Sequence, residues 1–240
     1  MFRKLCHCII MIYYLFFVYF GLRLLFFYDV ENVSDIFKKT VVDKNPFMYF
    51  SLWGVTFQLV YFTFVIILDY TDITSEKSRS PWKNCLETFR KHFFMAIVFP
   101  TTLLIGLTFW TFFIYDRELI YPEVLDREVP FVLNHCCHTI PPILVFIHLF
   151  LADQSDINST VCIVLISIME LLYTVCFIWS GIMYGNWIYL MYDTMRADKI
   201  ASIFVICYIT TCLSFVFGRK LSTTLSRINY EVKIGKRKIN

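Results

Sequence analysis

The chain alternates between long apolar runs and short polar segments. Six runs approach or exceed the roughly 20 residues of helix that cross a bilayer. They cover residues of about 5–27, 47–68, 93–115, 131–151, 161–182 and 200–217. A basic tail follows at 218–240. The pattern predicts an all-α polytopic membrane protein, in which residues 1–240 form one domain, a bundle of six transmembrane helices.

Composition and charge agree with this pattern. The chain is 58% hydrophobic and 17% charged, with a mean hydropathy of +0.62. Fourteen lysines and arginines lie on the side that holds both termini, and seven lie in the loops of the other side. The positive-inside rule therefore predicts cytosolic termini. A net charge of +3 is too small to indicate a nucleic-acid partner.

The last residues suggest a compartment. Lys238 and Lys236 are third and fifth from the end of the chain. In these positions they resemble a dilysine retrieval signal, which predicts an integral membrane protein of the endoplasmic reticulum, with the plasma membrane as a further location. The alternative is a basic patch that is attracted to anionic lipid.

The most informative segment is Asn134–Thr139, which lies early in the fourth run and precedes Pro141 and Pro142. Imidazoles are costly in hydrocarbon, so His135 and His138 indicate a functional site, and their spacing places them on one helix face. Neither proline donates a helical hydrogen bond. The carbonyl groups freed in this way require protein, side chains or water. The segment therefore predicts a broken helix and a polar pocket beside it.

A hydroxyl lies at a comparable depth in the second run. Ser51 is about 6 Å below the start of that run, and His138 is about 12 Å past Pro130, which precedes the fourth run, at the helical rise per residue. Both runs enter the bilayer from the same side. This arrangement permits a hydroxyl–imidazole pair, although most serines in membrane spans bond to their own helix or help helices to pack.

Other polar residues are candidates for supporting roles. Glu170 lies midway along the fifth run, where it must be paired or protonated. It either bonds to a neighbouring hydroxyl or orients the imidazole. The loop that contains Asp116 and Arg117 is either solvated, with a local ion pair, or lines the pocket. Asn186 lies in the last loop on the same side.

Three segments resemble the androgen-induced membrane protein family. They are Tyr115–Pro122 (YDRELIYP), Leu133–Thr139 (LNHCCHT) and the less specific Gly185–Tyr189 (GNWIY). The resemblance covers nearly all of the six-span region. It implies an atypical serine/threonine-type hydrolase that cleaves fatty acid esters of hydroxy fatty acids. The family is described as using a threonine nucleophile in the second span and a histidine in the fourth.

Carried over to this chain, the resemblance assigns the histidine to His138 and the nucleophile to Ser51, with Gln58 as a register mark. Serine stands where the family has threonine, which keeps the hydroxyl. Thr56 is the alternative nucleophile. The resemblance implies no cofactor, and it implies a lipid ester that enters from the bilayer. No protein partner is indicated. Candidate oxyanion donors are Asn134, His135 and Asn186.

Two other functions are compatible with these residues. A metal site could use His135, His138 and cysteine, since these ligands suit zinc. On a regular helix, however, Cys136 and Cys137 point away from the histidine face. A transporter or scaffold would instead use the polar residues to pair helices.

The charge pattern generates a prediction about topology. Epitopes at both ends of the chain should be digested by protease that is added outside sealed microsomes, because both termini are expected in the cytosol. Protection of either epitope would contradict this orientation.

Overall fold

The protein is a bundle of helices. The computed structural model describes residues 2–26, 48–71, 81–185 and 187–239. The helices are α1 (Phe2–Phe26), α2 (Phe50–Tyr70), α3 (Pro81–Phe93), α4 (Phe99–Asp116), α5 (Phe131–His138), α6 (Ile140–Leu151), α7 (Ser159–Tyr184) and α8 (Ala197–Ile239). They form six helical stretches that are long and apolar enough to cross a membrane. The prediction of an all-α protein with six transmembrane helices is confirmed.

Two of the six stretches are longer than the apolar runs. The third begins at Pro81, within the segment expected to be a loop, because α3 is amphipathic and its charged residues interrupt the apolar run. The sixth does not end near residue 217. It continues as one helix to Ile239, so the basic tail is a helical extension of α8. The side of the membrane that holds the termini stays a prediction.

The helix is continuous through Pro100. The sequence predicts a kink there because proline cannot donate to the carbonyl group four residues back, that of Ala96. A π-helical turn, Phe94–Val98, joins α3 to α4 immediately before the proline. All five of its residues are buried. The wider turn therefore lies in the packed core of the bundle rather than against lipid.

The predicted helix break beside His138 is present. Helix α5 ends at His138, and α6 begins at Ile140. The freed carbonyl group of His138 lies close to α4 at Gly106, where a Cβ atom would be 3.1 Å from that oxygen and 2.9 Å from Pro142 Cγ. Glycine at position 106 therefore allows α4 to approach the broken helix.

A buried polar cluster ties the helices together at the end of the bundle where α1 begins and α6 ends, which we call the terminal end. Asp69 accepts a hydrogen bond from Arg3 at 2.7 Å and lies 2.6 Å from His7 Nδ1. His7 Nε2 lies 3.1 Å from His148 Nδ1. His148 Nε2 lies 2.7 Å from the hydroxyl oxygen of Tyr61. This chain of contacts joins α1, α2 and α6.

The cluster continues into α3 through Arg90. Its guanidinium donates to the Tyr61 hydroxyl at 3.2 Å, to Glu87 at 2.6 Å and to the carbonyl oxygen of Asp153 at 2.9 Å. A buried charge without a partner is strongly destabilising, whereas this one is paired and bonded. The sequence analysis did not single out His148, because one histidine in an apolar run gives no sign of its neighbours.

Loss of the His148 imidazole should destabilise the bundle. His148→Leu leaves His7 Nε2 without its partner and the Tyr61 hydroxyl proton without its acceptor in the core, which costs about 1–3 kcal/mol for each unsatisfied group. The apparent midpoint of thermal unfolding in detergent should fall. His92→Leu should lower it less, since this half-buried histidine forms hydrogen bonds only with backbone atoms of Thr88 and Asn158 among the described residues. Equal midpoints for the two variants would contradict a structural role for the cluster.

Candidate functional site

A cavity of about 320 Å³ opens at the opposite end of the bundle, which we call the cavity end. This end carries the segments that join α4 to α5 and α7 to α8. Most of the lining is aliphatic or aromatic, so the expectation of a polar pocket was wrong in its general character. The polar side chains in the lining belong to Ser51, Thr108, Asn134, His138, Glu170 and the tyrosines Tyr49, Tyr121, Tyr173, Tyr189 and Tyr192.

The His138 ring is held in one orientation. The ring of Phe109 stacks on it at a centroid distance of 3.7 Å and an interplanar angle of 9°. Its Nδ1 atom lies 3.0 Å from the backbone oxygen of Asn134 and 2.8 Å from the side-chain oxygen of the same residue. A backbone carbonyl can only accept, so Nδ1 carries the proton. A neutral imidazole then has an unprotonated Nε2, which forms no hydrogen bond with any described residue.

Ser51 lies in the first turn of α2 and lines the same cavity as His138. The serine is half-buried. Within the described ranges its hydroxyl makes no hydrogen bond to His138. Pairs of this kind often tighten only in the substrate complex. Among the described residues, neither the Ser51 hydroxyl nor His138 Nε2 has a hydrogen-bond partner, and a hydroxyl and an imidazole nitrogen are the groups that this kind of nucleophilic catalysis requires.

Thr56, the alternative nucleophile, is in a different environment. It is exposed, does not line the cavity, and donates a hydrogen bond of 2.7 Å to the carbonyl oxygen of Leu52 in its own helix. Thr108 does line the cavity, one residue before the Phe109 ring that stacks on His138. The sequence analysis missed Thr108, because it bonds to its own helix at Leu104 and no local pattern distinguishes it.

The segment after α4 contributes to the cavity through different residues from those expected. Arg117 pairs with Asp126 at 2.8 Å, and Asp116 accepts a hydrogen bond from the backbone of Glu118. Neither Asp116 nor Arg117 lines the cavity, but Tyr121 does. The segment is therefore a pocket lining, and its charged residues stabilise its fold.

Tyr121 brings a donor to the edge of the cavity. Its hydroxyl oxygen is buried and has no hydrogen-bond partner in the part of the chain that the structure describes. Burial raises the pKa of Tyr121 to about 12, and the nearby carboxylate of Asp126 acts in the same direction. The phenol is therefore protonated at neutral pH and can donate a hydrogen bond.

The remaining predicted residues do not converge on one point. His135 turns away from the cavity: its Nδ1 lies 2.8 Å from the Thr139 hydroxyl, and its ring packs on Phe131 and Trp110. The cavity lining follows the face of α5 that carries Asn134 and His138. His135 and His138 therefore lie in different environments. Asn186 lies outside the described residues. Among the described residues, no group of three His, Cys, Asp or Glu side chains could hold a metal ion.

Glu170 lies on the cavity wall and bonds to a neighbouring helix. The hydroxyl oxygen of Thr211, on α8, is 2.7 Å from Glu170 Oε1. This is the pairing with a hydroxyl that the sequence allowed. Asn134, rather than Glu170, orients the His138 imidazole.

Comparison with known proteins places the chain in a family. The model of the FAR-17a/AIG1-like protein family matches residues 5–223. The chain is 33% identical to the androgen-dependent TFPI-regulating protein of Mesocricetus auratus over 129 residues, which cover 54% of this chain and 56% of that protein. It is 24% identical to the human protein of the same name over 197 residues, which cover 82% and 84%.

The human androgen-induced gene 1 protein is a further relative. The chain is 25% identical to it over 138 residues, which cover 55% of this chain and 57% of that protein. This chain therefore spans just over half the length of two of these three relatives and more of the third. No solved structure matches it.

Proposed function

This chain belongs to the FAR-17a/AIG1-like family, and we propose that it is an intramembrane hydrolase that cleaves fatty acid esters of hydroxy fatty acids. One observation carries the proposal. His138 presents an unprotonated Nε2 on a cavity that also contains the Ser51 hydroxyl, because Asn134 occupies Nδ1. The expected setting is the endoplasmic reticulum membrane.

The first half of the reaction forms an acyl-enzyme. The Ser51 oxygen attacks the carbonyl carbon of the ester, while His138 Nε2 accepts the hydroxyl proton. The tetrahedral intermediate collapses by breaking the bond between that carbon and the alkoxy oxygen. His138 returns the proton to this oxygen, and the hydroxy fatty acid leaves.

Water completes the cycle by the same proton path. It attacks the acyl carbon and gives its proton to His138 Nε2. The bond to the Ser51 oxygen breaks, the proton passes to that oxygen, and the second fatty acid is released. General base assistance of this kind contributes a factor of about 10²–10⁴.

The apolar lining supports a lipid substrate. Acyl chains gain free energy when they leave water, and binding pockets are mostly apolar with a few placed polar groups. An ester dissolved in the bilayer can reach a cavity inside the bundle without crossing water. The rival function is a membrane scaffold, for which the polar groups only pair helices.

Removal of the nucleophile should abolish activity. Ser51→Ala should lose ester turnover and labelling by a fluorophosphonate probe, because the attacking oxygen is gone. His138→Ala should lower both by about 10²–10⁴-fold, because the hydroxyl loses its base. Ser51→Thr should retain turnover. Thr56→Ala is the matched control and should behave as wild type, since it removes a hydroxyl from the same helix on its exposed side.

Folding must be checked for each variant by its thermal unfolding midpoint. A folded Ser51→Ala protein with wild-type turnover would contradict the assignment of the nucleophile. Loss of turnover in Thr108→Ala would then assign the nucleophile to Thr108, whose hydroxyl also lies in the lining. Full turnover in both variants would exclude a serine or threonine of the described lining as the nucleophile, and failure of the wild type to label would favour the scaffold.

Asn134 should act by orienting the imidazole. Asn134→Leu removes the side-chain acceptor while filling a similar volume, and it should lower kcat by about tenfold. The loss is only part of the general base contribution because the backbone carbonyl still holds Nδ1. Asn134→Asp keeps the acceptor and should retain more activity than Asn134→Leu. If leucine proved as active as aspartate, the contact with His138 would have no catalytic role.

A further inference from the structure

Glu170 is not used by the proposed reaction, although it lines the same cavity. Its side chain is 7% exposed and lies deeper in the bundle than His138. His138 is seven residues after the first residue of α5, whereas Glu170 is fourteen residues before the last residue of α7. At the helical rise per residue, Glu170 is about 10 Å further from the cavity end.

The contacts of Thr211 show how Glu170 is tolerated at this depth. The Thr211 hydroxyl oxygen lies 2.7 Å from Glu170 Oε1 and 2.9 Å from the carbonyl oxygen of Cys207. A hydroxyl has one proton, and a carbonyl can only accept. Both contacts are hydrogen bonds if the Thr211 hydroxyl donates to the Cys207 carbonyl oxygen and a protonated Glu170 Oε1 donates to the Thr211 oxygen. A neutral carboxyl group also avoids the cost of a charge in hydrocarbon.

The other oxygen of Glu170 is left for a ligand. Oε2 has no hydrogen-bond partner in the described ranges, and it is not among their fully buried, unsatisfied atoms. When Oε1 carries the proton, Oε2 is a carbonyl-type acceptor at the cavity wall. No lysine or arginine is among the described residues that line the cavity. The deep part of the cavity therefore offers one neutral acceptor and no cation for an anionic group.

We propose that Glu170 is a recognition subsite for a free hydroxyl group on the acyl chain that occupies the deep part of the cavity. The proposal rests on the proposed function, because it requires an ester substrate whose acyl chain extends from the cleaved bond into the deep part of the cavity. A hydroxyl group of the ligand can donate a hydrogen bond to Oε2. An ionised carboxylate of the ligand would need a hydrogen-bond donor, and Oε2 is an acceptor. The preferred substrates are therefore esters whose deep chain carries a neutral hydroxyl.

Paired substrates test this subsite. Each test compares two esters that are identical except for one hydroxyl on the acyl chain. A panel of such pairs places the hydroxyl at successive positions along the chain. At one position, wild-type protein should prefer the hydroxylated ester by about threefold to tenfold in kcat/KM, the value of one neutral hydrogen bond. Glu170→Met should bring this ratio to about one. Glu170→Gln should keep a preference, because its amide oxygen replaces the acceptor.

A binding measurement separates the subsite from the chemistry. Ser51→Ala protein is loaded with a fluorescent fatty acid, which the two members of each pair then displace. The hydroxylated member should displace it at the lower concentration, and adding Glu170→Met should remove the difference. Because this readout needs no turnover, a preference in binding without any hydrolysis by the wild type would sink the hydrolase and leave the subsite standing.

The opposite result overturns the subsite alone. If wild-type protein hydrolyses both members of every pair at equal kcat/KM, Glu170 recognises no hydroxyl and serves only to pair α7 with α8. A preference that survives in folded Glu170→Met would equally contradict the assignment. Should that variant fail to fold, loss of the preference in folded Glu170→Gln protein, which keeps an acceptor oxygen, would still overturn the subsite.

Discussion

The missing backbone donors of Pro141 and Pro142 are the constraint on which the cavity end depends. They break the fourth membrane stretch, so α5 ends inside the membrane at His138. The freed carbonyl group of His138 is accommodated because Gly106 has no side chain to exclude it. The resulting approach of α4 brings Phe109 onto the imidazole ring. One local defect thus fixes how α4 packs on the His138 ring at the cavity wall.

His148 and His138, both in this broken stretch, differ in how many of their ring nitrogens have hydrogen-bond partners. His148 uses both ring nitrogens, one toward His7 and the other toward Tyr61 and Gln154. His138 uses only one, toward Asn134. A saturated imidazole joins helices, whereas a half-saturated one retains a lone pair for a reacting proton. The fully bonded histidine therefore lies at the terminal end, and the histidine with an unpaired nitrogen lies at the cavity end.

Local sequence signals predicted the parts of the fold that depend on local physics. Apolar runs define the spans, and consecutive prolines define the break, without knowledge of the neighbouring helices. The environment of each polar residue depends on packing instead. Tyr121 rather than Arg117 lines the cavity because the ion pair between Arg117 and Asp126 turns the charges away from it. The His148 cluster was missed because its partners are distant in sequence.

The π-helical turn Phe94–Val98 determines how the following residues of the third stretch are rotated about the helix axis. One residue corresponds to about 100° around a helix. A π turn contains about one residue more than an α-helical turn. If Phe94–Val98 became regular α-helix without losing a residue, Gly106, Thr108 and Phe109 would rotate by about that angle away from α5. The wider turn, and not only the composition of the segment, therefore determines which side chains of the third stretch belong to the cavity.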